Sequence, residues 1–72
     1  MTTRFVLRFE RGSRSAPEIK GQYIAWEKGF LRPCAAQTTA TRYDHAHIAA
    51  DVALRAAKAY SGARVEVLPV LQ

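Results

Sequence analysis

The chain has 72 residues, of which 49% are hydrophobic and 24% charged, and 11 Lys and Arg against 6 Asp and Glu give a formal net charge of +5. This length allows one small domain that buries about 60% of its unfolded surface, and the apolar content favours an ordered fold over disorder. The single cysteine, Cys34, excludes an internal disulfide framework, and no stretch reaches the roughly 18 apolar residues that a membrane span needs.

The N-terminal region predicts the first strand. Residues 3–10 alternate between apolar and charged side chains, with Phe5, Leu7 and Phe9 on one face, and a period of two is typical of a half-buried strand. The apolar run is too short for a signal peptide and has arginines inside it. We therefore expect a cytoplasmic protein that does not associate with a membrane.

The middle of the chain is less regular. Residues 11–21 hold two glycines, two serines and a proline, a composition that predicts a loop. Residues 22–27 are apolar and aromatic enough for a second strand. Residues 30–43 are expected to be irregular or to contain a short strand, because Pro33 cannot join a central ladder and threonines alternate there with alanines.

Residues 45–61 predict a helix. They contain neither Gly nor Pro, and alanine, the best helix former, dominates. Asp44 stands at the N-cap position, and Gly62 follows where a left-handed C-terminal cap belongs. At 100° per residue, one stripe is apolar and is expected to face the sheet; its members are Ile48, Ala49, Val52, Ala53, Ala56, Ala59 and Tyr60.

The last predicted element is a strand over residues 64–71, in which Pro69 indicates a sheet edge or a strand end. The element order β-β-(β)-α-β indicates an α+β fold of two layers, a small antiparallel sheet of three or four strands packed against one helix. The alanine stripe lets this helix approach the sheet closely. The missing core volume is expected to come from Phe5, Leu7, Phe9 and Trp26.

The segment "TRYDHAHIAAD", residues 41–51, places two histidines close to two aspartates. In a helix, His45 and His47 lie about 200° apart and cannot bind one metal ion together. Zinc takes three or four protein ligands, and Cys34 is the only other soft donor. We therefore interpret Asp44 as a helix cap and His47 as the partner of Asp51, and we predict neither a metal site nor a cofactor.

The sequence also lacks a catalytic constellation. Cys34 follows a proline, with no helix start or glycine-rich turn to activate its thiol. There is no phosphate-binding loop or dinucleotide fingerprint, and a two-layer domain of this size has little room for a substrate pocket. We predict that the protein is not an enzyme and has no catalytic residues.

A protein of this kind is expected to act by contact with a partner protein. Small domains often gain core by pairing with a second copy, so a homodimer is also expected. The predicted interaction surface combines the basic loop, the charged face of the first strand and the side of the helix opposite the apolar stripe. Its residues are Arg4, Arg8, Arg11, Arg14, Lys20 and Leu54.

The alternative is a nucleic-acid-binding module. Three aromatic residues interleave with cations between residues 20 and 32, and stacking beside cations can hold single strands. However, no run of five like charges exists, and no ribonucleoprotein motif is present. The residues assigned to this alternative are Arg8, Arg14, Lys20, Lys28 and Arg32, with Tyr23, Trp26 and Phe30.

Three segments together resemble a loose class of small bacterial and prophage proteins of uncharacterised function: "RFVLRF" (residues 4–9), "ATRYDHAHIAADVA" (residues 40–53) and "VEVLPV" (residues 65–70). That class joins an N-terminal strand and hairpin to an A-x-[RK]-[FY]-x-[ST]-x-x-x-A segment and a final V-x-V-x-P-V strand. The positions that approximate the two motifs are Ala40, Arg42, Tyr43, Ala46 and Ala50, then Val65, Val67, Pro69 and Val70. The resemblance implies a phage or prophage accessory protein that contacts a host or phage protein, and it implies no catalytic residue.

Overall fold

The computed structural model describes residues 3–71. It contains one α-helix and four strands, which follow one another as β1 (Thr3–Arg11), β2 (Tyr23–Glu27), β3 (Phe30–Cys34), α1 (Ala46–Ala59) and β4 (Arg64–Leu71). The strands form one antiparallel sheet in the order β3-β2-β1-β4, and α1 packs over β4 and β1. The predicted α+β fold of one helix on an antiparallel sheet is confirmed.

The central strand, β1, serves both faces of the sheet. Leu7 and Phe9 point toward α1 and are fully buried in the core. Val6 points to the opposite face, which we call the open face, and is also fully buried, with Leu68 of β4 as its cross-strand partner. The strand extends to Arg11, one residue beyond the predicted end, because the register shifts after Phe9 and so carries the pairing past Glu10.

The predicted loop at residues 11–21 is packed rather than free. Ser13 is 2% exposed, and its hydroxyl accepts a hydrogen bond from the Ala16 N–H at 3.0 Å. Ile19, in a short 3-10 turn at Pro17–Ile19, joins the core. A Cβ on Gly12 would lie 2.4 Å from the Pro17 carbonyl oxygen, so the close approach of two backbone segments requires glycine there.

The stretch predicted to be irregular or to contain a short strand, residues 30–43, holds the strand β3 at its start. β3 pairs with β2 over five residues, and the turn between them has positive φ at Lys28 (51°) and Gly29 (81°). Two successive residues with positive φ are the signature of the type I′ hairpin turn. Pro33 is tolerated in β3 because this strand is at the edge of the sheet.

Residues 41–43 insert between β1 and the far end of β2. Tyr43 exchanges two backbone hydrogen bonds of 2.8 Å with Phe5, and the Thr41 N–H donates to the Ile24 carbonyl at 3.3 Å. The Thr41 hydroxyl accepts from the Trp26 N–H at 2.7 Å. This insertion separates β2 from β1, so the β2–β3 hairpin diverges from the rest of the sheet.

That divergence overturns one predicted core residue. Trp26 is 42% exposed, because the helix covers β1 and β4 rather than the hairpin. The volume expected from Trp26 is supplied instead by Ile19, Ile24 and Tyr43. In addition, the ring of Tyr60 packs edge-on against Phe9 with centroids 5.3 Å apart.

The helix is shorter at both ends than predicted. It begins at Ala46, and the N-cap residue is His45, whose side chain makes no capping hydrogen bond. The predicted cap, Asp44, instead forms an ion pair of 3.3 Å with Arg4, because the bridge between Phe5 and Tyr43 places Asp44 beside Arg4 on the open face. The helix ends at Ala59.

The turn that follows the helix and the width of its buried face also differ from the prediction. Gly62 has φ of 87°, but it lies in a turn closed by the Ala63 N–H on the Tyr60 carbonyl at 2.9 Å, after the helix has ended. The buried stripe is limited to Ala49, Val52, Ala53 and Ala56. Ile48 is 43% exposed and Ala59 is also exposed, so the buried strip of the helix is narrower than predicted.

The described part of the chain has no helix long and apolar enough to cross a bilayer. At 1.5 Å per residue, α1 is about 21 Å long, shorter than the hydrocarbon core of a membrane.

Tyr43 carries the one buried side-chain polar atom without a hydrogen-bond partner in the described chain, its hydroxyl oxygen. We expect Tyr43→Phe to stabilise the protein by about 1 kcal/mol at neutral pH, because it removes an unsatisfied buried group. Tyr60→Phe also removes a tyrosine hydroxyl, but this hydroxyl donates a hydrogen bond to the Leu31 carbonyl at 2.8 Å. The variant should therefore destabilise the protein by about 1 kcal/mol. Urea unfolding of the two variants measures both effects, and a loss of stability in Tyr43→Phe would contradict the assignment.

Burial raises the pKa of Tyr43 above its ordinary value of 10.0. The folded protein therefore holds this proton more tightly than the unfolded chain does. It follows that the tyrosine ionises more readily in the unfolded state above pH 10, and that stability falls as the pH rises from there through the folded-state pKa. Tyr43→Phe should lose less stability than the wild type over that range.

Candidate interaction surfaces

Ion pairs neutralise much of the charge on the surface of the protein. Five of the six acidic residues pair with an arginine. The pairs are Arg4–Asp44, Arg8–Glu66, Arg32–Glu27, Arg55–Asp51 and Arg64–Glu10. The cations left without a carboxylate partner within residues 3–71 are Arg11, Arg14, Lys20, Lys28, Arg42 and Lys58.

Arg4 and Arg8, two of the predicted contact residues, belong to the paired group. The Arg8 Nε donates to Glu66 Oε1 at 2.6 Å, and this hydrogen bond raises the pKa of Arg8. Arg4 is bound to Asp44, as described above. The open face is therefore a mosaic of apolar side chains and ion pairs rather than a basic surface.

Three other predicted residues, Arg11, Arg14 and Lys20, lie together at the end of the molecule where β1 finishes. The Gly21 N–H donates to the Phe9 carbonyl at 2.8 Å, and the Arg14 N–H donates to the Ser61 carbonyl at 3.0 Å. These bonds bring the loop against the C-terminal end of α1, where Lys58 occupies the last turn. We call Arg11, Arg14, Lys20 and Lys58 the basic end.

The basic end has an ordinary structural explanation as well as a functional one. Cations near a helix C-terminus interact favourably with its partial negative charge. The same four side chains also offer a small cationic surface to an acidic ligand.

Leu54, the sixth predicted residue, is 66% exposed on the side of α1 that faces away from the sheet. The thickness of both layers separates it from Arg4 and Arg8. The predicted interaction surface is thus divided among three separate places, the open face, the basic end and the outer side of the helix.

The β2–β3 hairpin presents a fourth surface that the predicted set did not include. Phe30 is 71% exposed and Trp26 is 42% exposed, and both flank the Lys28-Gly29 turn. The sequence alone interprets these aromatic residues as groups that stack on nucleic acid, in the alternative function described above. Beside the turn lies an open depression of about 440 Å³, and its lining residues are Glu27, Lys28, Phe30, Leu31, Arg32 and Tyr60.

The two histidines lie closer together than predicted. His45 and His47 stack with ring centroids 5.5 Å apart and planes at 26°, because His45 has an extended backbone and precedes the helix. The predicted pairing of His47 with Asp51 is not formed, since Asp51 binds Arg55 at 3.7 Å, the favourable i, i+4 pair. Within residues 3–71, no three His, Cys, Asp or Glu side chains come together as a metal-binding group.

Neither a protein-family model nor a curated protein nor a solved structure matches this chain significantly.

Proposed function

We propose that this protein is a small, non-enzymatic, cytoplasmic accessory protein of phage or prophage type, and that it binds a partner protein through the tip of the β2–β3 hairpin. The observation that carries the proposal is the exposure of Phe30 and Trp26 on that hairpin. Aromatic side chains are enriched in the energetic centres of protein interfaces, and this small domain exposes two of them near one turn.

The hairpin is suited to this role because its shape is fixed in advance. Its type I′ turn and five paired positions hold the two aromatic residues in place, and the Tyr60 hydroxyl ties the Leu31 carbonyl to the helix end. Binding then orders few additional groups, which lowers the entropic cost of association. Lys28 and the Arg32–Glu27 pair supply the polar rim that surrounds such anchors.

The two aromatic side chains point to opposite faces of the hairpin, since Trp26 pairs with Leu31 and Phe30 pairs with Glu27. A partner that contacts both must therefore grip the hairpin from two sides, as a cleft would. Phe30 borders the open depression, so it is the stronger candidate for the central anchor.

The phage or prophage assignment has a separate basis. It is supported by the resemblance of residues 4–9, 40–53 and 65–70 to small proteins of that kind, which implies contact with a host or phage protein. The hairpin tip lies outside these three segments, so the proposed contact surface is a feature of this chain.

A nucleic-acid-binding function is the second candidate, and the basic end favours it. Arg11, Arg14, Lys20 and Lys58 gather there without carboxylate partners in the described chain. Against it, Arg8 and Arg32 are paired with acids, and Tyr23 and Trp26 face opposite sides of the hairpin. The cations and the aromatic rings do not form one continuous strip.

The test compares Phe30→Ser with Leu54→Ser, since both replace a largely exposed apolar side chain. We expect Phe30→Ser to weaken binding of the partner protein by at least about thirtyfold, the equivalent of a hot-spot loss of about 2 kcal/mol. Leu54→Ser should leave binding unchanged. The measurement is quantitative co-purification from lysate of the native or infected cell, followed by titration of the purified partner.

Equal retention of that partner by both variants would contradict the hairpin assignment. The nucleic-acid alternative has its own readout, a gel-shift titration over a range of salt concentrations. A shift that weakens steeply with salt and is lost in Arg14→Ala would support it.

A further inference from the structure

The two edges of the sheet are not equivalent. In the β2–β3 pair, the odd-numbered residues of β2 exchange backbone hydrogen bonds with the even-numbered residues of β3. At the β3 edge, Leu31 and Pro33 therefore direct their backbone groups outward. The Leu31 carbonyl already accepts the Tyr60 hydroxyl, and proline has no N–H to offer. This edge is therefore closed to a further strand.

The β4 edge is open. Phe5 and Phe9 direct their backbone groups away from β4, toward Tyr43 and toward residues 21 and 22. The even-numbered residues of β1 therefore bond to β4, and Val65, Val67 and Pro69 turn their backbone groups outward. Within residues 3–71, no hydrogen bond occupies the outward groups of Val65 and Val67.

Pro69 limits how far a strand could extend along this edge. Its missing N–H costs the fold nothing because the position points outward, but it would leave a gap in any ladder that crossed it. The usable part of the edge is therefore the stretch from Ala63 to Leu68. Native proteins usually block or cover an open edge of this kind, because it is a template for pairing with another chain.

We propose that a second copy of this chain occupies the edge, through antiparallel pairing of β4 with β4 of the partner subunit, centred on Val65. In this register Val65 faces the partner's Val65, and Val67 faces the partner's Ala63. The Ala63 N–H is already bound to the Tyr60 carbonyl, so Ala63 acts only as an acceptor. The ladder avoids Pro69 and joins two four-stranded sheets into one.

Charge complementarity selects this register. Arg64 and Glu66 lie on the open face, and the register sets Arg64 directly opposite Glu66 of the partner subunit, twice by symmetry. Each partnership extends an existing one, since Glu66 is bound to Arg8 and Arg64 to Glu10. Rows of side chains with alternating positive and negative charge then cross the interface between the subunits.

The neighbouring registers are worse for identifiable reasons. Centring the pair on Glu66 would set two glutamates face to face, and like charges directly opposite are destabilising. Centring it on Val67 would place Pro69 opposite Val65 and lose ladder hydrogen bonds. The pairing with Val65 at the centre avoids both defects.

The helix layer is compatible with the same arrangement. Residues 41–43 and β4 are parallel to each other on the two sides of β1, and α1 connects them in a crossover that is right-handed in nearly all proteins. That hand turns the side of α1 bearing Ala50 and Ala57 toward the free edge of β4. Two helices presenting small residues could then approach each other above the joined sheet.

Pairing of β4 with β4 is independent of the function of the hairpin. Two charge variants test it. Arg64→Glu sets like charges opposite Glu66 of the partner subunit, and Glu66→Arg sets like charges opposite Arg64 of the partner subunit. Each variant alone should dimerise at least about tenfold more weakly than the wild type. Mixed in equal amounts, the two variants restore opposite charges at both positions and should form a heterodimer of near wild-type affinity.

Analytical ultracentrifugation measures the affinities, and circular dichroism confirms that each variant is folded. Lys28→Glu is the matched control, because it makes the same change of charge on the hairpin and should leave the dimer intact. A wild type that stays monomeric at the highest attainable concentration overturns the proposal. Dimerisation unaffected by Arg64→Glu, or mixed variants that fail to associate, would overturn this interface.

Discussion

Phe9→Ala is expected to remove a large part of the stability of the fold. Truncating a buried phenylalanine costs about 3–5 kcal/mol, whereas a chain of 72 residues has a total stability of roughly 4–11 kcal/mol. Phe9 is fully buried at the centre of the core, and its ring packs against Tyr60. The cavity left behind lies where β1, β2 and the helix end meet, so no single element can move to fill it.

Phe30→Ala is the matched control, because it removes the same atoms from a side chain that is 71% exposed. Its urea midpoint, followed by far-ultraviolet circular dichroism, should stay close to that of the wild type. The Phe9→Ala midpoint should fall sharply with an unchanged slope for any folded fraction that remains. Equal midpoints for the two variants would show that Phe9 is not in the core.

The contrast between these phenylalanines shows what local pattern can predict. Phe9 belongs to a strictly alternating strand, and alternation identifies the buried face whatever the strand pairs with. The helix was predictable for a similar reason, since an uninterrupted alanine-rich run has few other options. The fold class follows from the order of these elements.

The errors in the sequence prediction share a different origin. Asp44 is a residue type that often caps helices, but the pairing of Tyr43 with Phe5 places it beside Arg4, with which it forms an ion pair. Trp26 is a residue type that is often buried, but Thr41 accepts a hydrogen bond from its backbone N–H and separates the hairpin from the sheet. Both outcomes depend on contacts between segments far apart in the chain, which no local pattern contains.

The candidate surfaces follow the same division. The sequence identified every cation, yet which of them are neutralised depends on cross-strand register, as for Arg8 beside Glu66. Pro69 indicates from the sequence that β4 lies at an edge. Which residues of β4 direct their backbone N–H and C=O groups outward depends on the pairing of β4 with β1, which the sequence does not show. Composition therefore predicts which residues can make contacts, and topology decides where they are available.

Val52→Asp is expected to have an effect as large as that of Phe9→Ala. Val52 is 4% exposed on the face of α1 that lies on the sheet. The substitution loses about 1.5–3 kcal/mol of apolar burial and adds about 1–3 kcal/mol for burying a carboxyl group without a hydrogen-bond partner. Leu54→Asp introduces the same group on the same helix at a position that is 66% exposed, and it should change the urea midpoint little.

The pH dependence of the stability of the two variants distinguishes a buried carboxyl group from an exposed one. Burial raises the pKa of a carboxyl above its unfolded value of about 3.9, so the folded state of Val52→Asp binds a proton that the unfolded state releases. The destabilisation relative to the wild type is therefore smallest below about pH 4 and grows as the pH rises through the folded-state pKa. For Leu54→Asp the difference from the wild type should stay nearly constant with pH. A Val52→Asp protein as stable as Leu54→Asp at neutral pH would mean that α1 packs on the sheet through another face.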